Sequence, residues 1–477
     1  MHGFVLAAFA AIILAPEVGA PLIPGFEQVA FASFIATTIA LLLAFWAFAA
    51  LQIRRLSRFG RIRHLHRLEF ATTSVRWILL GLHLVGVVLF GMTTAVRDRV
   101  GDIVVLDELL TALPFLAALV ATEFVVYPME RRIRDAMTIR NLDLGRPIHA
   151  FPQRMRYTWL WARHNVFFML VPLVLLAAWM EATARFLPRD AAGSFVGAGM
   201  QIVGVILVFT LIPPLLVSVW DTVRLGPGPL RDDLERLARD SGVGLRAILV
   251  WRTGGAMLNG AAIGLIRPLR YVVLTDGLLD ALEPIEIQSV AAHELAHMRC
   301  RHMLWLGTGV IGTVLLVGTP LGWLTLLAAP DSLIEKALLA AGLAATLVAA
   351  VSVLAFASRR FEREADAWAT ARVTALDLAE STPTSTIRIE QHSALAMASA
   401  LARVAEAHGM PVERPTLRHG SIARRQQFLA GSIGQIYREL PAVCAARRAR
   451  GAVMAILAGG LAIAGVDVLL RLGEIFG

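Results

Sequence analysis

Lysine is almost absent from this 477-residue chain: of its 45 Lys and Arg residues, only Lys336 is lysine. Cysteine is nearly as scarce. The two present, Cys300 and Cys444, build neither a disulfide framework nor a CxxC metal site, so a reduced structural role is expected for both. Charge is thin as well, at 17% of residues against roughly a quarter in soluble domains. Apolar residues take up the difference, at 57%. One soluble core cannot hide such a surplus, because much of its surface must still face water. The composition therefore points to a mainly α-helical, polytopic membrane protein. The net charge of +9 could suggest nucleic-acid binding. The arginine clusters sit beside apolar runs, however, which makes them membrane-topology signals and excludes nucleic acid as a partner.

Apolar runs long enough to cross about 30 Å of hydrocarbon occur near 28–53, 75–96, 106–127, 159–180, 195–220, 303–327, 335–357 and 452–471. A shorter run at 3–15 lacks the basic start and small-residue cleavage site of a secretory signal. It is expected to be a short span or an interfacial segment, giving eight or nine spans. Residues 54–67 hold six arginines and no acid, and residues 130–156 hold seven arginines. The loops between them carry only Arg97 and Arg99, then Arg185 and Arg189. The positive-inside rule then places 54–67, 130–156, 221–302 and 358–450 on the cytoplasmic side. Ionisable residues near or within spans are His83, Asp107, Glu108, Glu123, Arg163, His164 and Asp467. Pairing between helices is the ordinary reading for these, a transport path the alternative; Asp467 and Arg471 are spaced to pair across one turn.

The segment 221–302 opens with the breaker run Gly226-Pro227-Gly228-Pro229. The pattern then predicts a helix over 230–239, a strand over 247–251, a Gly-rich piece over 254–264, and a strand over 271–275. A further helix is expected from Pro284 through His302, with Glu283 and Glu286 suiting its positive end. The segment 358–450 reads as a helix over 358–372, a Thr/Ser loop at 381–386, a helix over 391–408, and a basic tail into the last span.

The helix from Pro284 contains His293-Glu294-Leu295-Ala296-His297, an HExxH motif. Residues four apart share one helix face, so two imidazoles reach a single Zn²⁺ at about 2.0–2.1 Å while Glu294 lies beside it. Zinc would acidify a water and the Glu carboxylate would carry its proton. Twelve His among 477 residues produce this pattern by chance in roughly one to two per cent of shuffled chains. Its placement on a helix at the membrane boundary adds weight. A catalytic zinc needs a third protein ligand. After two spans the chain returns with Ser358-Arg359-Arg360-Phe361-Glu362-Arg363-Glu364-Ala365-Asp366. Here Glu362 suits a ligand and Asp366 a carboxylate orienting a ligand His; a solvated charged helix is the plainer reading, and the out-and-back hairpin favours the former.

HExxH, a two-span hairpin and then SRRFExxAD resemble the membrane zinc metallopeptidases that include the HtpX heat-shock proteases and the CAAX prenyl proteases. The resemblance covers about residues 225–430. It implies one Zn²⁺ per chain held by His293, His297 and Glu362, with Glu294 as general base and acid. It extends to Asn259, where the family has an Asn-Ala that helps hold substrate; here Gly260 follows, then Ala261. The run 270–279 resembles the family's strand and turn before the metal helix. His419 and Arg425 resemble a His-Pro-xxxx-Arg segment by the metal cleft, with Gly420 in place of the proline. The implied fold is an α+β zincin-like domain facing the cytoplasm and split by the hairpin. Its expected parts are a membrane region 1–222, domain halves 223–302 and 358–450, the hairpin 303–357, and a last span in 451–477. The implied partners are peptide or membrane-protein substrates and the lipid bilayer.

The Gly-rich stretch around Leu258–Gly264 has two readings: an exposed strand that pairs with substrate backbone, or a turn with no ligand. A sensor metallopeptidase of the antirepressor type also joins HELAH to a Glu-xxx-Asp helix, but no loop outside is long enough for its sensor domain. A metal-binding scaffold without proteolysis remains the alternative from another class.

Overall fold

Inside a bilayer every backbone N–H and C=O must find a partner within the protein, so runs of this composition fold as helices. The computed structural model describes all residues except 1, 17–20, 144, 146, 188–194, 331, 378–383, 409, 417, 418 and 477, and the side chains of 140, 141, 195, 196, 198 and 471–476 are likewise outside it. Among the described residues, eight helices are long and apolar enough to cross a membrane. The chain divides into two compact units, Met1–Trp220 and Asp221–Gly477.

The first unit is a helical bundle. Five of its helices have spanning length: Glu27–Phe59, Arg63–Leu89, Leu106–Ile139, Arg154–Phe186 and Gly199–Val219. His2–Leu14 has 13 residues, about 20 Å at 1.5 Å per residue, short of a full crossing. Its Val5, Ala8, Phe9 and Ile12 are buried in the bundle core with Leu79, Phe115 and Leu119. Several ionisable groups of the bundle are paired between elements. Arg97 bridges Asp107 and Glu108, Arg76 meets Glu123, and the Tyr157 hydroxyl donates to Glu123 at 3.2 Å. His83 stacks on Phe115 with centroids 5.1 Å apart, and Arg163 donates to the Ser218 carbonyl at 3.0 Å.

The second unit wraps a four-stranded sheet of order β1-β2-β4-β3 with helices. Its strands are β1 (Thr222–Arg224), β2 (Ala247–Trp251), β3 (Gly260–Ile263) and β4 (Tyr271–Thr275). β4 is buried at every residue. It pairs in parallel with β2, from Ala247↔Tyr271 to Trp251↔Thr275, and antiparallel with β3, from Gly260↔Leu274 to Ile263↔Tyr271. β3 is thus an edge, and four residues of the Gly-rich stretch, Gly260–Ile263, form a strand rather than a turn. The helix Pro284–Arg299, here the motif helix, packs on the sheet. His302–Thr313 leads into the outgoing arm of the hairpin, and Leu333–Asp377 returns as one helix of 45 residues.

Several elements differ from the sequence reading. The motif helix stops at Arg299 rather than running through His302, because Arg301 takes a left-handed φ of 55° and a new helix starts at His302. The helix expected at 358–372 is the far end of the 45-residue return helix. Of the Thr/Ser loop, 381–383 lie outside the described residues and Thr384–Thr386 is one 3-10 turn. The basic tail contains a helix, Ile422–Ser432, and the last helix begins early, at Pro441. Asp467 accepts from the Trp323 indole at 2.6 Å; the side chain of Arg471 lies outside the described residues.

Candidate metal centre

The motif helix starts at Pro284, whose missing N–H is no loss at a first turn. A reciprocal capping box between Glu283 and Glu286 closes its end. Its inner face is small: Ala291, Ala292 and Ala296, with Leu295, pack in one core with Ala365, Trp368, Ala369 and Val373 of the return helix. Alanine on both sides lets the two helices approach closely, and their polar side chains meet beside that contact.

There His293, His297 and Glu362 converge. The two Nε2 atoms are 3.2 Å apart. Glu362 Oε2 lies 3.6 Å from His293 Nε2, and Oε1 lies 3.7 Å from His297 Nε2. Ligands at 2.0–2.1 Å from a tetrahedral zinc are separated by about 3.3 Å, so these atoms trace a face of such a polyhedron. Glu362 is 4% exposed, and its Oε2 is buried without a hydrogen-bond partner. A buried carboxylate oxygen with no hydrogen bond and only the Arg425 guanidinium at 3.4 Å is costly, and a cation shared with two imidazoles would satisfy it. The residues fit zinc.

A second layer holds this trio. Asp366 Oδ1 lies 2.9 Å from His293 Nδ1, which directs Nε2 toward the centre. Arg425 clamps Asp366 with two bonds, Nε to Oδ2 at 2.7 Å and Nη2 to Oδ1 at 2.6 Å, and its Nη1 reaches Glu362 at 3.4 Å. Arg425 comes from Ile422–Ser432, capped by the Ser421 hydroxyl. His419, at 52% side-chain exposure, sets Nδ1 3.0 Å from Glu362 Oε1. It sits in a tight turn where Thr416 and Gly420 exchange backbone bonds. Gly420 has φ +71°, beyond the reach of a proline ring, so the departure from His-Pro is matched by a different turn.

Glu294 turns to the sheet: its Oε2 accepts the Ala262 N–H of β3 at 2.8 Å. Thr275 N–H donates to the Asn259 carbonyl. With antiparallel alternation, Asn259, Ala261 and Ile263 face β4, while the backbone groups of Gly260 and Ala262 point to the free edge. A Cβ on Gly260 would lie 3.0 Å from Val290 Cγ1 and 3.5 Å from Glu294 Cγ, so a bare backbone lets β3 lie close over the motif helix. Asn259 is exposed, and its backbone is tied to Thr275.

Burial weakens a charged His293, but Asp366 and Glu362 outweigh it and raise its pKa to about 10. Burial also pushes the Glu294 carboxyl above its ordinary range, against the lowering effect of His293 and the Ala262 N–H. His297 is held neutral, well below the usual imidazole range, by burial and then by the charge of His293.

The structure brings together all the expected metal-centre residues: His293, Glu294, His297, Glu362, Asp366, His419 and Arg425. Of the expected substrate-edge residues, Gly260 presents its backbone to the free edge, whereas Asn259 and Ala261 point theirs into the sheet. Sequence reasoning included Ala262 in the Gly-rich stretch but not the bond of its N–H to Glu294, and it missed His302 beside His297 with Glu364 and Arg450 behind it. His302 lies five residues beyond His297, the one signal that could have drawn notice.

Residues 228–414 match the model of Peptidase family M48. No curated protein sequence matches the chain. Among solved structures, the chain is similar to Ste24p of S. mikatae at 16% identity and a TM-score of 0.48, covering 84% of this chain and 98% of that one. The stretch 228–414 is thus similar to the M48 peptidases, in a chain whose described residues include eight helices long and apolar enough to cross a membrane.

Proposed function

We propose that this protein is an integral-membrane, zinc-dependent endopeptidase that acts in membrane-protein quality control or processing. The observation that supports this most directly is the convergence of His293, His297 and Glu362 on one point with Glu294 between that point and a free strand edge. In this reading His293, His297 and Glu362 hold one zinc ion, and 223–302 and 358–450 are two halves of one catalytic domain. The ion, when bound, supplies a Lewis acid and lowers the pKa of water to near neutrality.

The chain's own residues do the rest. A peptide adds to β3 at the Gly260 N–H and C=O and the Ala262 carbonyl, an interaction that reads main chain rather than sequence. Glu294, desolvated and raised in pKa, takes the proton of the attacking water and delivers it to the leaving amine. Its bond to Ala262 keeps the carboxylate at the edge where the scissile bond would lie. Asp366 and Arg425 hold His293 in place, and exposed His419 donates to the developing oxyanion. The arginine-rich loops support a cytoplasmic position for the site.

The test is cleavage of casein, or self-cleavage, by purified protein. Glu294→Gln should lower kcat by about 10²–10⁴-fold while zinc stoichiometry holds, and a chelator should abolish cleavage. Glu362→Ala should lose zinc. Activity that survives Glu294→Gln would refute the assignment, and a fully loaded, inactive wild type would favour the metal-binding scaffold.

A further inference from the structure

Five residues beyond His297 lies a second histidine that the peptide chemistry above does not use. In an unbroken helix His302 would stand about 140° around the axis from His297. The left-handed Arg301 ends one helix and begins the next, and this break turns His302 back beneath the motif. Its Nδ1 comes within 2.9 Å of His297 Nδ1, and its Nε2 within 2.9 Å of Glu364 Oε2. Arg450, from the last helix, donates to the same Glu364 oxygen at 2.5 Å. The His302 ring is 1% exposed and lies flat on Phe361, with centroids 4.6 Å apart and planes within 3°.

We propose that His302, backed by Glu364 and Arg450, is a positioning residue that fixes the tautomer and ring plane of His297 for metal binding. This rests on the reading of His293, His297 and Glu362 as zinc ligands. The direction of each proton follows from the contacts. His297 can offer Nε2 to a metal only if its proton sits on Nδ1, and that proton must be donated to His302 Nδ1. His302 then carries its own proton on Nε2, facing a carboxylate. The opposite tautomer of His302 would aim a lone pair at Glu364, which electrostatics disfavours. Phe361 precedes the ligand Glu362 in the chain, so the same stacked ring braces ligands on two helices. His293 has Asp366 for this purpose; His297 has a neutral imidazole with a carboxylate behind it.

Cys300, His302 and Glu364 also lie close enough to be considered a metal site of their own. The Arg450 guanidinium against Glu364 argues against a second cation there.

The experiment uses the full-length protein in detergent and measures zinc affinity by chelator competition, metal stoichiometry, and the visible spectrum of the cobalt-loaded form. His302→Phe keeps an aromatic ring against Phe361 and removes the acceptor. Zinc affinity should fall about 10–100-fold, the cobalt bands should shift, and the melting temperature of the metal-free protein should stay near wild type. His302→Asn, whose amide oxygen can replace Nδ1 as acceptor, should recover part of the affinity even if the Phe variant folds poorly. Wild-type affinity and spectrum in His302→Phe would overturn the proposal, as would two ions per chain with one lost in that variant. If the wild type binds no zinc, or if Glu362→Ala binds it normally, the ligand assignment itself falls, an outcome distinct from an intact zinc site indifferent to His302.

Discussion

Asp276 shows how single residues set the approach to the site. Its carboxylate accepts from Thr253 N–H at 3.0 Å, Thr253 Oγ1 at 2.5 Å, Gly254 N–H at 2.7 Å and Gly277 N–H at 2.9 Å. These bonds pin the turn that leads into β3. Burial works against its charge, but the Thr253, Gly254 and Gly277 donors prevail and hold its pKa below the ordinary 3.8. A depressed carboxylate stabilises the fold above its unfolded pKa and loses that contribution as pH falls through the folded value. Asp276→Ala should therefore cost about 2 kcal/mol at neutral pH. The gap from wild type should narrow below pH 4, measured by thermal unfolding of the detergent-solubilised protein across pH. An equal gap at pH 3 and pH 7 would contradict the assignment. HExxH, Glu362 and Asp366 were legible because each pair is four residues apart, and the helical period alone puts such residues on one face. His302 was not, since its position depends on the left-handed Arg301. Arg450 was not either: it lies 86 residues from Glu364, and no local pattern joins them.

Among elements, the return helix carries the greatest mechanical burden. Leu333–Asp377 is continuous over 45 residues, roughly 68 Å at 1.5 Å per residue, so the rod that spans the membrane also delivers Glu362, Glu364 and Asp366. A break between span and site should misplace all three. Val351 is 42% exposed, so replacing it disturbs little packing. Val351→Pro removes a helix hydrogen bond and bends the rod by about 20° or more. Unrestrained, that bend moves Glu362 roughly 5 Å. The variant should lose most of its bound zinc while Val351→Ala keeps it, as measured by metal analysis of the purified proteins. The sequence showed an apolar run at 335–357 and a charged helix after it, but not that they are one helix; continuity depends on the absence of a breaker between them, and the charge pattern obscured it.

For the whole molecule, the prediction concerns the side of the membrane that holds the site. The proposed function puts the metal centre on the same side as the arginine-rich loops at 54–67 and 130–156. Cysteines introduced singly at Arg61 and Glu413, with Cys300 and Cys444 replaced by serine, should react with an impermeant maleimide only in inverted vesicles. A cysteine at Asp102 should react only in intact cells. Labelling of Arg61 and Glu413 from opposite sides would break the topology. The charged groups of the first unit bear on its role as well. Arg97 pairs with Asp107 and Glu108, and Arg76 with Glu123, while Asp107 Oδ1 and Glu108 Oε2 stay buried without a hydrogen-bond partner.

The sequence by itself determined that this is a polytopic helical membrane protein, which residues form the metal-binding pattern, and which loops carry the positive charge. Those properties follow from composition, from the spacing of residues along one helix, and from the cost of exposing polar backbone to lipid. Only the tertiary structure decided that β3 is a free edge, that Ala262 rather than Asn259 or Ala261 presents its N–H to Glu294, and that His302 turns back to meet His297. These depend on strand register, on one left-handed residue and on helices far apart in the chain. Such features are set by packing between segments, which local sequence periodicity does not encode.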